Sequence, residues 1–161
     1  LPNETLSQIM FKNLSKVGGV NYTADEKKFA EEIIKTFPEG VMASPADAAI
    51  ITPFEVNEKG AGGSTDVGDV SWLVPTAGLG TATWVPGTSA HTWQAVAAGG
   101  TSIGKKGMMV AAKTLTLTAM DIFKDPSVTV KAKAELDRRR GANFKYEALT
   151  GDRKPPLDYR K

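Results

Sequence analysis

The longest periodic segment of the chain runs from Ile103 to Phe123, and it constrains the fold more than any other feature. Apolar residues recur there every three or four positions, which predicts a helix. Small residues such as Gly107 would let another element approach closely. A competing interpretation is a strand at 113–120, where Thr and Leu alternate. We favour one long helix, ended by the Asp-Pro pair at 125–126, because the pattern extends well past ordinary strand length.

Two further helices are predicted near the start of the chain. Residues 4–17 carry apolar side chains at helical spacing, with Asn3 as the N-cap and a glycine pair that ends the run. A second helix is predicted over 24–37, because Thr23 and Glu26 have the spacing of a capping box.

Three shorter or more polar helices are predicted later. One runs over 67–73 and begins at Asp66, whose carboxylate would cap it. Residues 90–98 are expected to form one or two helical turns. The last helix is predicted over 128–140, capped by Ser127 and stopped by a glycine.

Extended chain is predicted between these helices. Leu79 to Val85 alternates and is rich in Thr, Ala and Val, which indicates a strand. A second, short strand is expected at 50–51, inside a long connection over 38–63. The Pro-rich tail, 142–161, is expected to be extended. The fold class predicted from this pattern is α/β: a partial open sheet with flanking helices.

The composition is that of one ordinary domain of 161 residues. The 20 basic and 18 acidic residues nearly balance, which does not favour binding to nucleic acid. The sequence has no cysteine, so disulfides and thiolate metal sites are excluded. No stretch predicts a membrane span. We expect a cytoplasmic location, with a periplasmic or secreted one as the alternatives. The chain begins without Met, which is expected of a processed chain or of a piece of a larger enzyme.

His91 is the only histidine. It follows the predicted strand and a Pro-Gly turn at 86–87, and ligands gather beyond the carboxyl ends of strands in open α/β sheets. Histidine often binds zinc, although a lone histidine is more often an ordinary surface or core residue. A catalytic zinc usually takes three protein ligands, and Asp66 and Asp69 are the nearest further candidates. The alternative is that Asp66 caps a helix and Asp69 is solvated.

Other motifs are weaker. The glycines at 60–63 lack the spacing of phosphate-binding loops. A Ser/His/Asp triad is conceivable on residue types, with Ser64, Ser71 or Ser89 beside His91, but the sequence has no GxSxG nucleophile elbow. The three tryptophans fall in the middle third of the chain and are expected in the core, with a pocket wall as the alternative.

Four segments together resemble a known family. They are GSTDVGDVSW at 63–72, GTSAHTWQ at 87–94, KGM at 106–108 and KPPLDYR at 154–160. They closely resemble the p-aminobenzoyl-glutamate hydrolase branch of the aminoacylase/carboxypeptidase-type di-metal amidohydrolases, a metallopeptidase family. The resemblance covers nearly the whole chain. It implies that residues 1–161 are the C-terminal part of an α/β catalytic domain, the part that follows an inserted lid domain.

The resemblance also implies an activity. Enzymes of this kind cleave an amide bond of an N-acyl or aroyl amino acid such as aminobenzoyl-glutamate, with two divalent metal ions, zinc or manganese, in the complete enzyme. His91 matches the last metal-ligating histidine. Asp66 and Asp69, with Ser64 and Thr65, match the acidic segment beside the metal centre and are expected to support the ligands or to line the pocket.

The remaining metal ligands, the general-base glutamate and the lid belong to the N-terminal part, which these residues do not include. The chain alone is therefore expected to be inactive. Its expected partners are the missing N-terminal half, further copies in a homo-oligomer and a small amide substrate. The alternative is a non-catalytic subunit or assembly module that pairs with the missing half, and a small Ser/His hydrolase is a third hypothesis.

Overall fold

Helices form all the regular structure in the part of the chain that the structure describes. This part, residues 1–56 and 65–158 of a computed structural model, is 54% helical and contains no strand. No helix in it is both long enough and apolar enough to cross a membrane. The elements are α1 (Glu4–Val17), α2 (Ala24–Ile34), a 3-10 helix (Pro45–Ala49), α3 (Val67–Leu73), α4 (Trp93–Gly99), α5 (Ser102–Lys124) and α6 (Ser127–Arg140).

The predicted α/β class, with its partial open sheet, is therefore wrong for these residues. Leu79–Val85 is not a strand, because it lies across α5 and not beside another strand. The Thr81 hydroxyl donates to the carbonyl of Gly107 at 3.0 Å. A Cβ on Gly107 would lie 2.4 Å from the carbonyl oxygen of Ala82, so only glycine permits this approach. The short strand expected at 50–51 is also absent, and a 3-10 helix precedes that position.

The long helix predicted from the apolar periodicity is confirmed as α5, and the strand at 113–120 is excluded. The Thr101 side chain caps α5 by accepting from the amide of Ile103 at 3.2 Å, and the helix stops at Asp125. Ile103, Gly107 and Thr114 are buried along one face. Gly107 is small and Thr114 is polar. The packing of α5 therefore depends on the close approach of its neighbours as much as on the volume of its apolar side chains.

Other helix boundaries follow local capping residues. Asn3 caps α1 and Thr23 forms the predicted capping box of α2, although α2 ends at Ile34 and only turns continue to 37. The predicted cap at Ser127 is wrong. Ser127 is the first residue of α6, and its amide donates to the Asp125 carboxylate at 3.0 Å.

The apolar core is small and joins α2 to the segment that carries His91. Its fully buried members come from α2, from Val85, from α4 and from the first turn of α5. Because none is larger than isoleucine, this core alone gives modest hydrophobic stabilisation. The buried members are Ala30, Ile33, Val85, Ala98 and Ile103, and partly buried Tyr22, Phe29, Ile34, Phe37 and Ala97 pack against them.

A set of buried polar side chains, here called the polar junction, joins α5 and α6 to the first two helices. Its members are Asn3, Asn13, Glu26, Thr114, Thr118 and Glu135. Buried polar groups are costly unless they are hydrogen-bonded, and each of these is.

Glu135 of α6 closes the N-terminus of α1. Its carboxylate accepts from the amides of Glu4 and Thr5 at 2.7 and 2.9 Å, and from the Thr5 hydroxyl at 2.7 Å. Arg139 donates to the same carboxylate at 3.0 Å. Burial alone would raise the pKa of Glu135, but the bonds from Thr5 and Glu4, with the Arg139 charge, lower it overall.

Two asparagines complete the contact of α1 with α5 and α6. The Asn3 amide nitrogen donates to the carbonyl of Ala132 at 2.9 Å, while its oxygen caps α1. The Asn13 amide nitrogen donates to the Asp121 carboxylate at 2.8 Å and to Thr118 at 3.4 Å. These bonds fix the register of α1 against both helices.

Glu26 makes the corresponding link between α2 and α5. Its carboxylate accepts from the Thr23 amide at 2.7 Å, from the Ser102 hydroxyl at 2.6 Å and from the ammonium of Lys106. The hydrogen bond from Lys106, followed by those from Ser102 and Thr23, lowers the pKa of Glu26 to about 2. Glu26 therefore remains charged in the folded chain well below the usual range of a glutamate.

Candidate functional site

His91 lies in a turn whose backbone is fixed on both sides. The predicted turn at 86–87 is present: the Thr88 amide donates to the carbonyl of Val85 at 3.1 Å, and Gly87 has φ +85°. His91 itself has φ +60°, the only positive value for a non-glycine residue in the described ranges. This conformation is costly for a residue with a Cβ, and such residues often occur at functional sites.

The helix that follows anchors this turn to the core. The Thr92 hydroxyl donates to the carbonyl of Ser89 at 2.8 Å and also caps α4 by accepting from the amide of Ala95. Gln94 is buried and donates to the hydroxyl of Thr36 at 3.2 Å. The backbone of His91 is therefore held by contacts on each side, while its own side chain is exposed.

A shallow cavity of about 480 Å³ opens beside His91. The indole side chains of Trp84 and Trp93 line it, and both are well exposed to solvent. The rest of its wall is Thr92, Ala95 and Val96, so no charged side chain faces the histidine there. Within the residues described, no side chain forms a hydrogen bond with the imidazole.

The predicted acidic segment lies at the start of α3. Asp66 precedes the helix but makes no capping bond, so that predicted role is wrong; the hydroxyl of Thr65 accepts from the amide of Val67 instead, at 3.4 Å. Asp66, Asp69 and Thr65 are all exposed. Ser64 and the glycines at 60–63 lie outside the described residues.

Contacts with residues 1 and 144 hold α3. The backbone nitrogen of Leu1 lies 2.6 Å from the hydroxyl oxygen of Ser71. The ring of Trp72 stacks on that of Phe144, with centroids 5.2 Å apart. Burial, and then the charge and hydrogen bonding of Asp69, raise the pKa of Tyr146.

The described candidate residues do not share one cavity or form one metal-binding group. The cavity beside His91 includes neither Asp66 nor Asp69. Across residues 1–56 and 65–158, no group of three or more His, Cys, Asp or Glu side chains is placed to hold a metal ion. The exposed imidazole fits one coordination position of a divalent cation by its donor chemistry, and the described carboxylates do not complete the set.

Sequence reasoning misplaced the tryptophans. All three were expected in the core, yet Trp72, Trp84 and Trp93 are 37%, 37% and 58% exposed. Trp84 and Trp93 are pocket-wall residues, which was the alternative prediction. One signal could have indicated that Trp93 lies near His91. The two residues stand on either side of Thr92, which caps α4.

The chain is similar to a subunit of p-aminobenzoyl-glutamate hydrolase from Escherichia coli (strain K12), with 32% identity over 157 aligned residues. The alignment covers 84% of this chain. The predicted resemblance is confirmed. The chain spans only 33% of the length of that Escherichia coli protein. No family model matches the chain, and no solved structure matches it significantly.

Proposed function

We propose that this chain is part of a hydrolase that cleaves the amide bond of an N-aroyl amino acid, with aminobenzoyl-glutamate as the reference substrate. The observation that carries the proposal is the similarity to the Escherichia coli p-aminobenzoyl-glutamate hydrolase along 84% of the chain. The exposed His91, held in a left-handed conformation beside a cavity, supports it independently.

His91 is proposed to bind one divalent cation, zinc or manganese. Its imidazole has no intramolecular hydrogen bond in the described ranges, and its backbone is fixed by Gly87 and Thr92, so a coordination bond would cost little ordering of the protein. The chemistry that a bound cation supplies at such a site is polarisation of the scissile carbonyl. His91 would fix the position of the cation relative to the cavity.

The other ligands and the general base are proposed to come from outside this chain. The described residues offer no three-ligand group, and the Escherichia coli relative is about three times as long. That relative is named as one subunit of its hydrolase, and we propose a partner for this chain too. Asp66, Asp69, Ser64 and Thr65 are proposed to lie near the metal centre once the missing part is present.

A chimera tests this function. The matching third of the Escherichia coli relative is replaced with this chain, and release of p-aminobenzoate from aminobenzoyl-glutamate is measured. The isolated chain should release none, and the chimera should release it at a measurable rate. His91→Ala in the chimera should lower the rate at least a thousandfold, on the order of losing an essential catalytic group. Ser89→Ala, in the same turn, is the control and should leave the rate within about twofold of the parent.

Three results would contradict the proposal: hydrolysis by the isolated chain, a chimera that releases no p-aminobenzoate, or a chimera in which His91→Ala retains the parental rate. The zinc content of the parent chimera and of its His91→Ala variant, measured by mass spectrometry, distinguishes loss of metal from loss of folding. Thermal unfolding of both should occur at similar temperatures because His91 is exposed.

A second candidate function, a non-catalytic assembly module, is favoured by an exposed apolar stripe on α5. Its members follow each other at intervals of four and three residues, the spacing of helices that pack lengthwise on another helix. They are Met108, Ala112, Leu115, Ala119 and Ile122, of which the first four are exposed. Light scattering after size-exclusion chromatography tests this function, since Leu115→Glu should abolish association and a wild-type monomer at high concentration would contradict it.

A further inference from the structure

Trp84 and Trp93 are the two largest side chains in the wall of the cavity beside His91. Trp93 is 58% exposed, and Val96, one turn later on α4, is 80% exposed. Large apolar side chains grouped around a concavity commonly mark a surface that binds something. The group includes the one histidine of the chain, so whatever covers the indoles also approaches the imidazole.

These indoles have no internal stacking partner in the part of the chain that the structure describes. Trp72 differs, because its ring stacks on Phe144 with an interplanar angle of 17°. The backbone of Trp84 is fixed nonetheless: its carbonyl accepts from the Tyr22 hydroxyl at 3.4 Å, and the next residue, Val85, is buried. Trp93 is fixed as the first residue of α4. Both rings are therefore presented by ordered backbone.

The polarity of the cavity restricts the ligand. The hydroxyl of Thr92 is already engaged with Ser89 and Ala95, and the side chains of Ala95 and Val96 are apolar. The imidazole of His91 and the indole N–H groups of Trp84 and Trp93 are the remaining polar side-chain groups of the wall. A π-rich wall whose polar side-chain groups are one imidazole and two indole N–H donors suits a flat aromatic ring that carries a carbonyl at one side.

We propose that Trp84 and Trp93 bind the aromatic ring of the acyl group and make the site selective for aroyl over aliphatic acyl substrates. This inference rests on the proposed function, and it names the residues that would set the acyl preference. Stacking of the ring on the indoles orients the amide carbonyl toward His91.

The test uses the whole chain and the signals of the three tryptophan Nε1–H groups in a ¹H–¹⁵N NMR spectrum. N-benzoyl-glutamate is the aromatic probe, and N-cyclohexanecarbonyl-glutamate is the saturated probe of similar size. The benzoyl probe should shift the signals of Trp84 and Trp93 saturably and leave that of Trp72 in place. The cyclohexyl probe should bind more weakly by about fivefold or more, as expected when ring stacking is lost.

Trp93→Leu should weaken binding of the benzoyl probe by about tenfold, and Trp84→Leu should do the same. Trp72→Leu is the matched control, because Trp72 is as exposed as Trp84 and lies outside the cavity, and it should leave binding unchanged. Equal affinity for the two probes, or no saturable shift of the Trp84 and Trp93 signals, would overturn the proposal.

Failure of this inference and failure of the proposed function are distinguishable. An inactive chimera whose parent chain still binds the benzoyl probe through the two indoles would contradict only the proposed function. A chimera that hydrolyses benzoyl-glutamate and acetyl-glutamate equally well, with Trp93→Leu unchanged in its preference, would contradict only this inference.

Discussion

The polar junction and the cavity beside His91 differ in how their side chains are satisfied. In the polar junction each buried carboxylate or amide finds its partners within the chain, as Glu135 does at the start of α1. Around His91, two indoles and an imidazole face solvent on a backbone that is well anchored. The first region explains how the chain holds its shape, and the second leaves large side chains exposed, as surfaces that bind a partner or ligand often do.

Removing Glu135 should have the largest effect, because it breaks the polar junction at its centre. Glu135→Ala leaves the first amides of α1 and the guanidinium of Arg139 without their acceptor, and we expect a loss of about 3 kcal/mol in the free energy of unfolding. Urea unfolding followed by circular dichroism measures it. Glu32→Ala, which removes an exposed ion pair with Lys35, is the control and should cost less than about 0.5 kcal/mol. Equal effects of the two changes would refute the central role of Glu135.

A methyl group on Gly107 should have the next largest effect. The added Cβ would lie 2.4 Å from the carbonyl oxygen of Ala82, so the segment before Trp84 must move away from α5. We expect Gly107→Ala to cost about 2 kcal/mol. Gly68→Ala in α3, where no atom lies within 4 Å of the added group, should be neutral or slightly stabilising. If Gly107→Ala costs no more stability than Gly68→Ala, the segment before Trp84 does not approach α5 as closely as described.

Acid should weaken the polar junction through Glu26. The folded-state pKa is about 2, below the usual 4.5, so the stabilisation is present above pH 4.5 and is lost as the pH falls towards 2. The partner Lys106 is partly exposed, and solvent screening limits the contribution to about 1–2 kcal/mol. Glu26→Gln should be less stable than the wild type at pH 7, and most of the difference should be lost by pH 2. A difference that stays constant across this range would contradict the lowered pKa.

The smallest effect on stability is expected at His91, in the turn beside the cavity. Because His91 has φ +60°, His91→Gly should relieve backbone strain and be about 0.5–1 kcal/mol more stable than His91→Ala. Ser89 has no positive φ, so Ser89→Gly should be no more stable than Ser89→Ala. Urea titrations of the four variants test this. If His91→Gly is less stable than His91→Ala, the backbone at His91 is not strained.

Local features of the fold could be predicted from the sequence, and distant ones could not. The starts of α1 and α2 were predictable because Asn3 and Thr23 cap amides within three residues. The contact of Glu135 with Thr5 joins positions 130 apart, and no local pattern indicates it. The prediction of a sheet was wrong because alternating side chains indicate only an extended segment with one face covered and the other exposed. They do not tell what covers the first face, and at 79–85 it is α5 rather than a neighbouring strand.

The site shows the same division. The turn before His91 was predictable from a Pro-Gly pair, since its hydrogen bond spans three residues. Whether Asp66 reaches the histidine depends on contacts between distant segments, which no local pattern indicates, and Asp66 is not part of the cavity wall beside His91. The exposure of Trp84 and Trp93 was missed because a tryptophan in sequence looks the same in a core and in a pocket wall.

The dependence of α1 on Glu135 also concerns the order of synthesis. During synthesis α1 leaves the ribosome before α6, yet the carboxylate that accepts from its first amides is added 131 positions after Glu4, and the carbonyl bonded by Asn3 comes 129 positions after that residue. Until α6 has emerged, α1 lacks these partners, and a helix of 14 residues is only marginally stable by itself. The nascent chain therefore cannot fix α1 in its folded position before α6 has left the exit tunnel.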